Sequence, residues 1–195
     1  MNSPTGAEIT TMTCEDAGAL DAWLAGHHTL DGGVWLKLAK KGSGIASVRW
    51  DEVVDVALCW GWIDGQRKGF DDTYFLQKIT PRRARSRWSQ VNVRKIAALT
   101  EAGRMRPPGV AEVERAKADG RWEAAYVSQK EAKVPDDLAA ALQGDDRARE
   151  FFESLGKTDR YQVILRLELS TGARMRAARL TAVMGKLAAG EKVAA

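Results

Sequence analysis

One stretch limits the fold more than any other: between Asp51 and Pro81 the spacing of apolar residues changes from the helical period to alternation. Val53, Val54, Ala57, Leu58 and Trp60 recur as on one side of a helix, and Asp51 and Glu52 suit the positive end of its dipole. Gly61 is a natural stop. Gln66 to Phe70 and Thr73 to Thr80 then read as extended segments around Asp71-Asp72, a short polar pair of the kind hairpin turns use, and Pro81 ends the second of them. A hairpin alone is not stable in water, so the chain must supply more strands and a covering layer. Val34 to Lys40 alternates as a further strand, closed by Gly42-Ser43-Gly44. The spacing also predicts a short helix over Glu15 to Ala25, with Leu20, Trp23 and Leu24 on one side, ended by Gly26 and followed by His27 and His28 in a connection.

Everything past Pro81 is helical in pattern. Ser86 or Ser89 can cap a helix running to Ala102, Pro107-Pro108 opens one that closes at Gly120, and Trp122 to Tyr126 adds a turn. A charged joint from Ser128 to Val134 leads to Pro135; Asp145 caps the next segment, and the final part runs from Asp159 to Leu169, breaks at Ser170-Thr171-Gly172 and resumes to Ala189. The expected class is therefore α+β: a small antiparallel sheet of about three strands with helices, then a helical C-terminal unit. The corresponding division is a flexible leader over residues 1–14, an α+β domain over 15–127, a helical unit over 128–190 and a tail over 191–195.

The 195 residues are 45% hydrophobic and 29% charged, the composition of a folded protein with a sizeable core. Charge is arranged in blocks. An acidic stretch (Asp51, Glu52, Asp55, Asp64, Asp71, Asp72) precedes a basic one (Arg82, Arg83, Arg85, Arg87, Arg94, Lys95, Arg104, Arg106). These blocks either pair with each other or present a positive face to an anionic partner. The first residues lack the basic start and apolar run of a signal peptide, and no stretch approaches a membrane span, so a cytoplasmic location without membrane insertion is expected. Cys14 and Cys59 are too far apart in pattern to suggest a disulfide framework.

The candidates for chemistry are few. Two adjacent histidines and two separated cysteines offer no metal-ligand spacing, and no nucleophile elbow is present. Lys40-Lys41-Gly42-Ser43-Gly44 has the glycines of a phosphate loop without its Gly-Lys-Ser/Thr order, and reads as a strand-to-helix connection. Trp50, Trp60, Trp62 and Trp88 lie close in sequence to Arg67, Lys68, Arg82, Arg83, Arg85 and Arg87. Flat apolar rings beside fixed positive charge suit phosphate-bearing or nucleobase ligands. The same tryptophans equally suit a core, and the same arginines a solvated face.

Val34-Trp35-Leu36 with Lys40-Lys41, then Ala57-Leu58-Cys59-Trp60-Gly61-Trp62-Ile63-Asp64-Gly65, Thr80-Pro81-Arg82-Arg83, Ser86-Arg87-Trp88-Ser89, Gly103-Arg104-Met105 and Asp119-Gly120-Arg121-Trp122 occur in an order that resembles the YdeI/OmpD-associated (OmdA) family of bacterial proteins. Arg176, Arg179, Leu180, Leu187 and Gly190 resemble its closing helix. The resemblance implies a link to bacteriocin protection, and attaches no defined catalytic activity or cofactor to these motifs. From residues and resemblance together, the expectation is a non-enzymatic binding protein without a cofactor. Trp60, Trp62, Asp64, Arg67, Lys68, Arg82, Arg83, Arg85 and Trp88 would form one anion-binding face, for a phosphorylated small molecule, nucleic acid or acidic protein. The alternative is a small-molecule enzyme that uses Asp64 or Asp71 as base and Arg67 as electrostatic stabiliser.

Overall fold

A computed structural model of the chain describes residues 10–193. The chain divides into two compact units, Met1–Arg87 with Asn92–Glu123, and Trp88–Val91 with Ala124–Ala195. The α+β class and the helical C-terminal unit read from the sequence hold.

In the first unit β1 (Thr11–Met12), α1 (Ala17–His27), β2 (Val34–Ala39), α2 (Trp50–Cys59), β3 (Trp62–Gly69) and β4 (Tyr74–Pro81) follow one another, and the strands join in the order β1-β2-β4-β3. β2 and β3 both pair antiparallel with β4, whereas β1 runs parallel to β2, with Thr11 opposite Trp35 and Met12 opposite Leu36. Among the described residues the sheet is thus mixed and has four strands, not three antiparallel ones. The added strand is two residues long and falls in what reads as a polar leader, where so short a segment has no period to detect. Residues 1–9 of that leader, and 194–195 of the expected tail, lie outside the described residues.

Local chemistry explains most element boundaries. Asp16 caps α1 by accepting a hydrogen bond from the Ala19 N–H at 2.8 Å. His27 belongs to the last turn of α1, not to a connection, because its ring stacks on Trp23 at 4.4 Å and meets the Trp23 carbonyl at 2.7 Å. Glu52 reaches back to the Arg49 N–H at 2.8 Å and closes the start of α2. Gly61, at φ 76°, reverses the chain in one residue, so β3 begins at Trp62 and not at the predicted Gln66. The Arg82 N–H bonds to the Gly61 carbonyl at 3.0 Å and holds that early start in place. At the hairpin the Asp71 carboxylate accepts from the N–H groups of Thr73 and Tyr74 at 2.8 and 2.7 Å, as the polar pair predicts.

One face of this sheet is covered. Val34, Leu36, Leu38 and Ile79 are buried on it, and Leu20 and Leu24 of α1 with Val53, Ala57 and Leu58 of α2 complete the core. Two further helices belong largely to this unit, α3 (Gln90–Glu101) and α4 (Pro107–Ala118), the latter opening with the predicted proline pair.

The second unit holds α5 (Asp136–Gln143), α6 (Asp146–Ser154), α7 (Lys157–Glu168) and α8 (Ala173–Ala188). Its core is Leu138, Leu142, Phe152, Val163, Leu167, Val183 and Leu187, with Val193 packed against it. Asp145 caps α6 as its sequence position predicts, accepting from the Ala148 N–H at 3.0 Å. The Asp137 carboxylate takes a two-pronged bond from Arg176 at 2.7 and 2.9 Å and ties α5 to α8.

Candidate functional site

The site is made by an irregularity in β3. Asp64 pairs with Ile79 and Arg67 with Gln77, so β3 spends three steps where β4 spends two: a β-bulge. Residues three apart on a regular strand face opposite sides. Here the bulge turns Asp64 and Arg67 to the same, covered face. Gln77, which is buried, donates from Nε2 to the carbonyls of Gly65 and Gln66 at 3.1 and 3.4 Å and so satisfies groups that the bulge leaves without ladder partners.

Beyond the reach of α2, the covered face opens into a cleft of about 850 Å³ lined by the 39–49 loop, Trp50, Glu52, Arg67, Phe75 and the Glu15-Asp16 turn. The Arg67 guanidinium lies over the Phe75 ring, its Cζ 3.8 Å from the centroid. Trp50 is 46% exposed at the start of α2. Burial pushes the Asp64 carboxyl above the usual range, against the opposing pull of backbone and Trp50 hydrogen bonds and of Arg82 and Lys95. Opposite Arg67 runs the Lys40-Lys41-Gly42-Ser43-Gly44 segment, whose glycines hold φ of 87° and 73°. Much of the charge around the cleft is already used: Arg49 pairs with Asp51, Glu52 closes the start of α2 and Asp16 caps α1. Lys40, Lys41 and Arg67 are left to face the cleft, with Glu15 at its edge.

The other expected site residues go elsewhere. Trp60 and Trp62 are buried, with indole N–H groups donating to Asp21 at 2.8 Å and to the His28 carbonyl at 3.0 Å, so neither ring offers a stacking face to a ligand. Lys68 points to the opposite side of the sheet, where its Nζ lies 4.4 Å from the Trp35 ring centre beside a second cation–ring group of Lys37, Tyr74 and Phe70. Arg82 is only 8% exposed and donates to the Arg87 carbonyl at 3.1 Å. Arg83 and Arg85 are exposed on the segment after β4, and Trp88 is buried in the second unit. Of the predicted face, Arg67 reaches the cleft, and Asp64 shares its side of the sheet without lining the cleft. Trp50, already in the sequence constellation, lines the cleft with Arg67, Phe75 and the paired lysines, and the signal that could have found the lysines is the glycine-rich segment that follows them.

Asp21 is the counter-charge of this neighbourhood. Partial burial acts to raise its carboxyl, but hydrogen bonds from Arg106 at 2.5 Å and Trp60 at 2.8 Å outweigh that and hold it below the usual range. A depressed carboxyl contributes stability that is fully present above its unfolded value and is lost as pH falls through its folded one. Asp21→Asn is therefore expected to cost about 1 to 2 kcal/mol near neutral pH. In urea titrations of the two proteins, that difference should shrink below about pH 4; an unchanged gap there would show that charge is not its source.

Fold and cleft together define a protein with an α+β unit that carries an open basic pocket, joined to a helical unit. Residues 12–112, more than half of the chain, match the family described as a domain of unknown function (DUF8412), and the chain belongs to that family. Residues 131–190 match the family described as Bacteriocin-protection, YdeI or OmpD-Associated (OmdA), the one its motifs resemble. The motifs of that resemblance from Val34 to Met105 thus fall in a separately described family, and Asp119-Gly120-Arg121-Trp122 lies between the two matched regions. No curated protein and no solved structure matches the chain. Among the described residues no helix is long and apolar enough to cross a membrane.

Proposed function

We propose that the first unit is a binding module for a small anion with a planar or apolar part, a phosphorylated metabolite being the first class to test. The observation that carries this reading is the convergence of Arg67, over Phe75, with Lys40, Lys41 and Trp50 around one cleft. A guanidinium fork and ammonium groups suit phosphate oxygens, and an exposed indole suits a flat ring. The cleft volume lies within the range of about 300 to 1,000 Å³ usual for small-molecule sites, which favours a metabolite over a nucleic acid or an acidic protein. The description of the C-terminal family suggests protection against bacteriocins as the setting for such binding. Buried free thiols at Cys14 and Cys59 suit a cytoplasmic location.

A catalytic reading, with Asp64 as base and Arg67 as stabiliser, draws on the raised Asp64 carboxyl on the side of the sheet that holds Arg67. Asp71 does not support it, since its carboxylate closes the hairpin turn: desolvation acts to raise it, but the Tyr74 and Thr73 N–H groups with Lys37 and Lys40 together outweigh that and hold it below the usual range.

Tryptophan fluorescence of the full chain, titrated with ATP and with pyrophosphate at two salt concentrations, tests the binding reading. Saturable quenching that weakens with salt is expected. Arg67→Glu should weaken it by about tenfold or more, the effect of losing one charge-assisted contact, and Trp50→Phe should remove most of the signal. Quenching that survives Arg67→Glu would place the ligand elsewhere. Turnover of a bound phosphate ester that Asp64→Asn abolishes while binding survives would instead favour catalysis.

A further inference from the structure

The second unit carries a cavity of its own, of about 530 Å³, lined by Gln129, Lys130, Ala132, Val134, Phe152, Lys157, Arg160, Tyr161 and Ile164. Its construction follows from the helical period. Lys157, Arg160, Tyr161 and Ile164 share one face of α7, and the segment before α5 lies across them. Phe152 and Ile164 make an apolar floor, Val134 leaves 40% of itself exposed at the mouth, and Lys130, Lys157 and Arg160 surround it.

Three cations line this apolar cavity and no carboxylate does. Lys130 and Lys157 make no ion pair among the described residues. Arg160 donates from Nη2 to the Glu153 carbonyl, its guanidinium lies 5.8 Å from the Phe152 ring centre, and its Nε is buried without an acceptor. The same end of α7 points the same way. Its N-cap is Gly156, which offers no side-chain acceptor to the first N–H groups, and the first helical residue is Lys157, a cation at the positive end of the dipole. The acid of that turn, Asp159, is already paired with Lys192 at 2.8 Å.

We propose that this cavity is a site for a small amphipathic carboxylate, an aromatic or medium-chain organic acid whose apolar body rests on Phe152 and Ile164 and whose carboxylate meets Arg160 and Lys157. A purely polar anion would leave the floor wet, and a neutral apolar molecule would leave the three lining cations without a counter-charge. The site is independent of the cleft in the first unit and takes a different class of ligand.

The test uses the full chain and the fluorescence of 1-anilinonaphthalene-8-sulfonate, an aromatic anion that brightens in apolar sites, with displacement by decanoate, decanol and decylammonium. Decanoate is expected to displace the probe at least about tenfold more effectively than either of the others, the equivalent of one good charged contact. Lys157→Glu and Val134→Asp, both at exposed positions, should weaken decanoate by a similar factor with an unchanged melting temperature, whereas Arg67→Glu should leave it unaltered. Arg160→Met should act the same way, and the two exposed variants decide the matter if it does not fold. Equal displacement by decanol, retention of decanoate affinity within about twofold in both exposed variants, or loss through Arg67→Glu would overturn the assignment.

Discussion

Trp62→Ala is expected to destabilise the protein by about 3 to 5 kcal/mol, a large share of the roughly 5 to 15 kcal/mol that holds a typical domain. Trp62 is the first residue of β3 and is 1% exposed. Its ring meets Trp23 edge-on, with centroids 6.3 Å apart, and its indole N–H serves the His28 carbonyl just beyond α1. Truncation therefore removes a large apolar area, an aromatic pair and the partner of a backbone carbonyl together. Trp62→Phe keeps most of the area and loses the hydrogen bond, so it should cost about 1 to 2 kcal/mol. Urea denaturation at neutral pH measures both. Losses below about 1 kcal/mol for the alanine variant would mean that the ring is not the anchor between α1 and the sheet.

The same residue shows what the sequence reveals and what it conceals. The Trp-Gly-Trp run marks the turn at Gly61 because glycine relieves a backbone constraint that any reader can anticipate. Whether the rings on either side face a ligand or a core depends on partners, Asp21 and His28, more than thirty positions away in the chain. Local signals with local causes are legible: the α2 period, the Asp71 turn, the proline start of α4 and the Asp145 cap. The parallel strand β1 is not, since two residues carry no period and its partner is set by the crossover through α1. Nor is the bulge, which decides that Arg67 joins Asp64 while Lys68 goes to the other side of the sheet. A one-residue insertion in a strand leaves composition unchanged and reverses every side chain beyond it.

Gly109 supplies the second large effect, and its sign is the informative part. It lies in the first turn of α4, buried against the end of α2, where a Cβ would fall 2.1 Å from the Cys59 carbonyl oxygen and 3.0 Å from that of Leu58. Both are backbone atoms, and the Cys59 carbonyl is further held by the Arg106 N–H at 3.0 Å, so neither can turn aside as a side chain would. Helix propensity alone says that alanine should gain about 0.5 to 1 kcal/mol over glycine inside a helix. That gain is expected for Gly185→Ala in α8, where nothing stands within 4 Å of the added carbon. At Gly109 the helices must instead move apart, at a cost of about 1 to 3 kcal/mol or more from overpacking, which outweighs the propensity term. The two alanine variants should therefore shift the denaturation midpoint in opposite directions. A gain at both positions would mean that α4 can withdraw from α2 without loss, and that the close approach of the two helices does not hold the first unit together.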